Sequence, residues 1–221
     1  LLQVLVGVEP RLAPYLRLAD GQIRDFEAVI ATGSTNSARY FQRYFGKYPH
    51  IIRKNRSSVA VLSGEESPEE LKALGEDIFR YFGLGCRNVS KVYLPENFDK
   101  NRLFEAFYAY REVGNHHKYT NNYDYNRAIY LMEKIDFLEN GFFILRDHPS
   151  FHAPVSVLHT QPYQQLSEVE EALQDHREEW QCVVSNVPLK ENPIPLGRGQ
   201  EPALWDYADG VDTLAFLRGL S

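Results

Sequence analysis

The 221-residue sequence contains two cysteines, two tryptophans and a single methionine. Cys86 and Cys182 lie too far apart, and without companions, to form a disulfide framework or a metal knuckle; this points to a reducing compartment, the cytoplasm. Residue 1 is Leu and the one methionine is Met132, so 221 residues is expected to be a lower bound on the natural chain. Long apolar runs are missing too. Leu1–Val8 is too short to span a bilayer and has neither a basic leader nor a small-residue cleavage site, so it reads as the end of an amphipathic helix. No surplus of positive charge exists: 24 Lys and Arg face 30 Asp and Glu, interspersed, for a net charge of −6. Nothing in that balance suggests a nucleic-acid surface held by phosphate contacts. Repeats and low-complexity tracts are absent as well.

What the chain does have is core material. It is 43% hydrophobic, with 13 Phe and 14 Tyr, enough for a sizeable packed interior. From residue 26 onward strands and helices alternate. Phe26–Ala31 is a buried-strand run that stops at Thr32-Gly33, and Ser34-Thr35 then stand at a helix start ahead of Ala38, Phe41, Tyr44 and Phe45. Val59–Leu62 is a second strand. Ser67-Pro68-Glu69-Glu70 is a capping box, opening a helix with Leu71, Leu74, Ile78 and Phe82 on one stripe and Gly83 as terminator. Lys91–Leu94 is a strand closed by Pro95. A helical stretch over 100–134 breaks near Gly114-Asn115, and the aromatics of Phe104–Tyr110 have the spacing of a core stripe. Further strands are expected at 142–145, 155–158 and 182–184, with a second capping box at Ser167–Glu170 and a crossing loop over 188–202. Repeated strand–helix units predict an α/β fold, its sheet mostly parallel and covered by helices on both faces.

Two turns have the chemistry of a site. In Ala31-Thr32-Gly33-Ser34-Thr35 a strand turns through glycine into a helix start, where free N–H groups and the dipole suit a phosphate; the plainer reading is a turn and a cap. In Phe82-Gly83-Leu84-Gly85-Cys86-Arg87-Asn88 a thiol sits on a tight turn between glycines, with Arg87 as a cation that would favour the thiolate if turned inward. The plainer reading there is a small buried hydrophobe, which describes Cys182 better. His116-His117 lies in a polar, aromatic loop that would bring one imidazole to a cleft as a proton donor. No second cluster at ligand spacing accompanies it, so no metal is expected.

In order and spacing these segments resemble the aldehyde dehydrogenase superfamily. A T-G-S-T turn there precedes a G-Q-x-C nucleophile loop, as Thr32–Thr35 precedes Gly83–Cys86. Phe151-His152-Ala153-Pro154-Val155 stands where that superfamily has F-G-P-V, and Ile194–Gly199 where it has P-F-G-G. The wording of Ala28–Phe41, Gly83–Ser90 and Asp206–Thr213 is most similar to the LuxC-type acyl-CoA reductases. The resemblance covers roughly residues 26–217. It implies a two-lobed fold with the active site between lobes: residues 1–48 as the C-terminal remnant of a nucleotide-binding domain, 49–200 as an aldehyde-dehydrogenase-like catalytic domain, and 201–221 as a tail returning toward the nucleotide lobe. It implies Cys86 as nucleophile toward acyl-CoA or another acyl thioester, and Gly33, Ser34 and Thr35 at an NADPH or NADH site; the candidate acid/base residues, read from the residues themselves, are His117 of the polar loop and His152 beside the F-G-P-V-like segment. An acyl-transferring protein partner and a homo-oligomer are expected alongside.

Two departures refine this. Ile52 stands near the position of the family's water-activating glutamate, and Ile51–Asn55 offers no carboxylate. Ser150 and Phe151 replace the ribose-binding glutamate. A thioacyl enzyme without a base for water is spared hydrolysis and open to hydride or a thiol, which favours acyl-thioester reduction to an aldehyde. A CoA-acylating aldehyde dehydrogenase on short substrates is the alternative within the family. A catalytically degenerate scaffold lobe is the alternative outside enzymology.

Overall fold

A computed structural model describes residues 1–220; Ser221 and the Thr35 side chain lie outside the described residues. The chain forms two compact units, Leu1–Arg53 with the chain from Leu217 onward, and Lys54–Phe216. The smaller unit begins with α1 (Leu2–Val8), which buries none of its residues, and a 3-10 helix. Then β1 (Val29–Thr32), α2 (Thr35–Phe45) and β2 (His50–Arg53) make one crossover with its two strands parallel. The strand starts later than Phe26, because that ring packs instead on Phe45 and Tyr48, with centroids 5.6 and 4.7 Å away. β2 escapes a pattern search: it has four residues, two of them polar.

The larger unit is a six-stranded sheet with helices on both faces, as the sequence predicts. In chain order its elements are β3 (Ser57–Val61), α3 (Pro68–Phe79), β4 (Val89–Pro95), α4 (Asn101–Phe107), α5 (His117–Glu133), β5 (Leu138–Glu139), β6 (Ile144–Asp147), β7 (Val157–Tyr163), α6 (Leu166–Asp175) and β8 (Trp180–Val184); α7 (Thr213–Arg218) comes last. Spatially the strands run β5-β6-β7-β4-β3-β8, all parallel except the β5–β6 pair. Alternation divides the core. Ala60, Leu62, Val92 and Leu94 pack with Leu71, Leu74 and Phe79 of α3 and with Leu103 and Phe107 of α4. Val59, Val61 and Tyr93 pack with Val169 and Leu173 of α6, and Ile144 and Val157 with Tyr123 and Tyr130 of α5. A central parallel strand buried on both sides must be apolar throughout, and Val59 to Leu62 are each 0% exposed.

Of four local expectations two hold and two change. The Ser67 box is present, its Oγ accepting from Glu70 N at 3.2 Å and Glu70 Oε2 from Ser67 N at 2.8 Å. The Ser167 box is not: α6 starts two residues earlier behind Gln165, and Glu170 instead holds Lys190 at 2.8 Å. The stretch over 100–134 breaks as expected, through a 3-10 helix (Tyr108–Asn115) between α4 and α5. Finally, α3 ends at Phe79, so Phe82 is off its stripe; Tyr81, Phe82 and Gly83 all have φ between 54° and 70°.

Candidate active site at the leading edge of the sheet

The loops that enter parallel strands all lie along one edge of a sheet. Here that edge gathers the start of β3, the Cys86 turn before β4, and the 148–156 segment before β7. β4 and β8, the two neighbours of β3, each carry one extra residue beside Ser57–Val59, so the ladder is bulged on both sides. Bulges of this kind re-aim side chains beside active sites.

Cys86 is exposed on its turn. Its loop is held by Asn88, which is 2% exposed. Asn88 Oδ1 accepts from Gly85 N at 2.8 Å, while Nδ2 donates to the carbonyls of Asp77, Ile78 and Arg80 at 3.0, 3.2 and 2.9 Å. One amide therefore caps the end of α3 and fixes the residue before the thiol, which explains why the helix stops where it does. Two bulky residues at positive φ, each costing about 1–2 kcal/mol, survive only where such contacts over-determine the turn. Ser58 Oγ donates to the Cys86 carbonyl at 3.1 Å and lies 3.1 Å from Cys182 Sγ. Arg87 turns away: Nε donates to the Gly199 carbonyl at 2.5 Å. The carboxylate of Asp77, 0% exposed, completes this clamp, accepting from Gly197 N at 2.6 Å and Gly199 N at 2.8 Å. Burial pushes its pKa up to about 6 despite those two donors.

The 149–152 segment hangs from the sheet by three consecutive carbonyls. Lys91 Nζ donates to Pro149, His159 Nδ1 to Ser150 at 3.0 Å, and Ser90 Oγ to Phe151 at 2.7 Å. Burial drives Lys91 down to about 8 and His159 down to about 4. The Lys91 ammonium lies 4.7 Å from the Tyr93 ring centre and 4.5 Å from that of Phe151, which offsets part of its desolvation. The strap presents His152, whose Nδ1 is 2.7 Å from Ser57 Oγ. The first two residues of β3 thus contact the His152 ring and the Cys86 backbone. A cavity of about 30 Å³ runs between Phe82-Gly83, Val89-Ser90, Tyr119 and Ala153–Val157.

No family model matches the sequence, and no curated protein matches it. Solved structures do match the fold. An indole-3-acetaldehyde dehydrogenase from P. syringae, determined with NAD+ and IAA, superposes with TM-score 0.54 at 12% identity, over 76% of this chain and 41% of that one. The aldehyde dehydrogenase KauB from Pseudomonas aeruginosa gives 0.54 at 12%, over 75% and 41%. Proline utilization A from Bradyrhizobium japonicum gives 0.54 at 18%, over 73% and 20%. The fold is aldehyde-dehydrogenase-like. The chain spans less than half the length of each of these structures.

Within this aldehyde-dehydrogenase-like fold the remaining candidates fall as follows. Gly33 is fixed by packing: a Cβ there would lie 2.8 Å from Ser37 Cβ and 3.0 Å from Phe41. Ser34 caps α2, its Oγ accepting from Ser37 N at 3.1 Å, which leaves the Thr35 and Asn36 N–H groups without an intrahelical acceptor. His117 is exposed at the first turn of α5. It is His116 whose ring stacks on Phe82 of the cysteine turn, 4.2 Å between centres. Among the described residues no three His, Cys, Asp or Glu side chains are grouped to hold a metal ion, and no helix is long and apolar enough to cross a membrane. Asn88, Asp77 and Lys91 are the residues the sequence reading passes over. Their signal was there as a polar group inside an apolar pattern: Asp77 beside Ile78 on the buried stripe of α3, and Lys91 at the head of the apolar run Val92–Leu94, itself buried in β4.

Proposed function

We propose that this chain carries the acyl-capturing part of an acyl-CoA (fatty acyl-thioester) reductase, working through an S-acyl Cys86. The observation that carries the reading is an exposed thiol on a turn fixed at Gly85 by Asn88 and at its carbonyl by Ser58. A nucleophile so held stays in position while its partner approaches. The Cys86 thiolate attacks the thioester carbonyl, a new C–S bond forms and the donor thiolate leaves. His152 takes the Cys86 proton and returns it to the departing thiol. The Cys86 N–H is assigned to stabilising the developing oxyanion. With Ile51–Asn55 offering no carboxylate to activate water, the thioacyl enzyme persists. Gly33, Ser34 and the Thr35 and Asn36 N–H groups suit one phosphate of a dinucleotide, and NADPH or NADH, when bound, supplies the hydride that releases an aldehyde.

The test is a thiol-release burst. Mixing the chain with a long-chain acyl-CoA is expected to free close to one equivalent of CoA per chain, followed by a slow phase. Cys86→Ala is expected to show no burst. A burst of unchanged size in that variant overturns the assignment.

A further inference from the structure

Cys182 is a nucleophilic group for which the chemistry above has no use. It and Cys86 are the only cysteines of the chain, and the fold brings both to one hydroxyl. Ser58 is 0% exposed, and its Oγ lies 3.1 Å from the Cys86 carbonyl oxygen and 3.1 Å from Cys182 Sγ. The same oxygen accepts from Cys182 N at 3.3 Å. Its one proton goes to the Cys86 carbonyl, so Cys182 S–H is the donor in the sulfur–oxygen contact.

Two further observations tie the thiols together. Arg87, the residue after Cys86, and Cys182 stand in the wall of one open cavity of about 370 Å³ between β8 and the tail. Burial raises the Cys182 pKa, the Ser58 hydrogen bond and Arg87 lower it, and negative charge on Asp77 and on Cys86 raises it again. The Cys86 sulfur is thus within electrostatic reach of Cys182. Cys86 is exposed and Cys182 buried, so an oxidant meets Cys86 first.

We propose that Cys86 and Cys182 form a reversible disulfide when hydrogen peroxide oxidises the chain, with Cys182 as the resolving thiol. The Cys86 thiolate attacks one peroxide oxygen, the O–O bond breaks, and hydroxide leaves and is protonated to water; Cys86 becomes a sulfenic acid. Cys182 Sγ then attacks the Cys86 sulfur. The S–S bond forms as the S–O bond breaks, and the Cys182 proton leaves with the hydroxide as a second water. Two thiols are oxidised and one peroxide is reduced. The exposed Cys86 side chain, rather than Cys182 in its strand, supplies the movement that closes the bond. Bridging takes the nucleophile out of use, spares it the irreversible sulfinic acid, and is undone by a small dithiol. The consequence for acyl capture rests on the acyl-thioester reading above; the bond between the two sulfurs does not.

The reduced chain is treated with hydrogen peroxide at low protein concentration, remaining thiols are alkylated, and the protein is digested without reductant for mass spectrometry. The expected product is one pair of peptides joined through Cys86 and Cys182 of the same chain and separated by dithiothreitol. The CoA burst is expected to vanish on bridging and to return almost fully with dithiothreitol. Cys182→Ala, or Cys182→Ser if circular dichroism shows the first variant misfolded, is expected to keep the burst before peroxide. After peroxide it is expected to accumulate sulfinic acid at Cys86 and to lose the burst for good. A parent chain that ends as Cys86 sulfinic acid with no joined peptides overturns the proposal. So does a disulfide found only between chains, or a Cys182 variant whose burst dithiothreitol recovers as fully as the parent's. Joined peptides in a chain that shows no CoA burst uphold the bond and remove the acyl-transfer reading instead.

Discussion

Asn88 illustrates how much one side chain decides at this edge. Its four hydrogen bonds end a helix and hold the peptide ahead of the thiol. Asn88→Ala strands three carbonyls and one N–H, and is expected to cost about 3 kcal/mol in urea unfolding; a loss under about 0.5 kcal/mol would contradict the capping role. The strained turn makes a prediction of the opposite sign. Tyr81 is exposed and sits at φ 54°, so Tyr81→Gly should raise stability by about 1 kcal/mol, whereas Tyr81→Ala should not. Asp77 gives a pH signature. Its folded pKa of about 6 lies above the ordinary carboxylate value of 3.8, because burial penalises the charge. Between those two values the native state holds more protons than the unfolded one, so Asp77's contribution is full at the acid end and is lost as pH rises through 6. The stability difference between the parent chain and Asp77→Asn should therefore fall across pH 4 to 6; a flat or rising difference would show that burial does not outweigh the two N–H donors at Asp77.

At the scale of elements, the strands and helices that bury an apolar stripe were legible in the sequence, and those that serve a turn were not. Val59–Leu62 and the Ser67 capping box could be read because burial and capping are written in residue type. β2 and β5 could not, being four and two residues long and held by pairing to a neighbour. The end of α3 escapes the pattern because Phe82 continues the apolar spacing, while the cap that overrides it is supplied by Asn88 from beyond the turn. Of the candidate site, the thiol turn was legible through its glycines and cysteine. The three-point suspension of Pro149–Phe151 was not, since Lys91, Ser90 and His159 meet it from two different strands. Ser90→Ala frees one of those carbonyls. Hydrogen–deuterium exchange is expected to quicken at residues 150–153 and to stay unchanged in β3 and β8; uniform exchange would mean the segment is held by other means.

At the scale of the whole chain, the smaller unit provides one parallel crossover and the larger provides the sheet, the thiol turn and the strap. A dinucleotide site of the doubly wound kind draws on several crossovers. The function proposed for the chain depends on Cys86 being the residue acylated. The most direct measurement is intact-protein and peptide mass spectrometry after incubation with an acyl-CoA, followed by neutral hydroxylamine. The account predicts a single acyl increment on the peptide containing Cys86, removed by hydroxylamine and absent in Cys86→Ala. An unmodified Cys86 under those conditions, or an increment that persists in the variant, would contradict it.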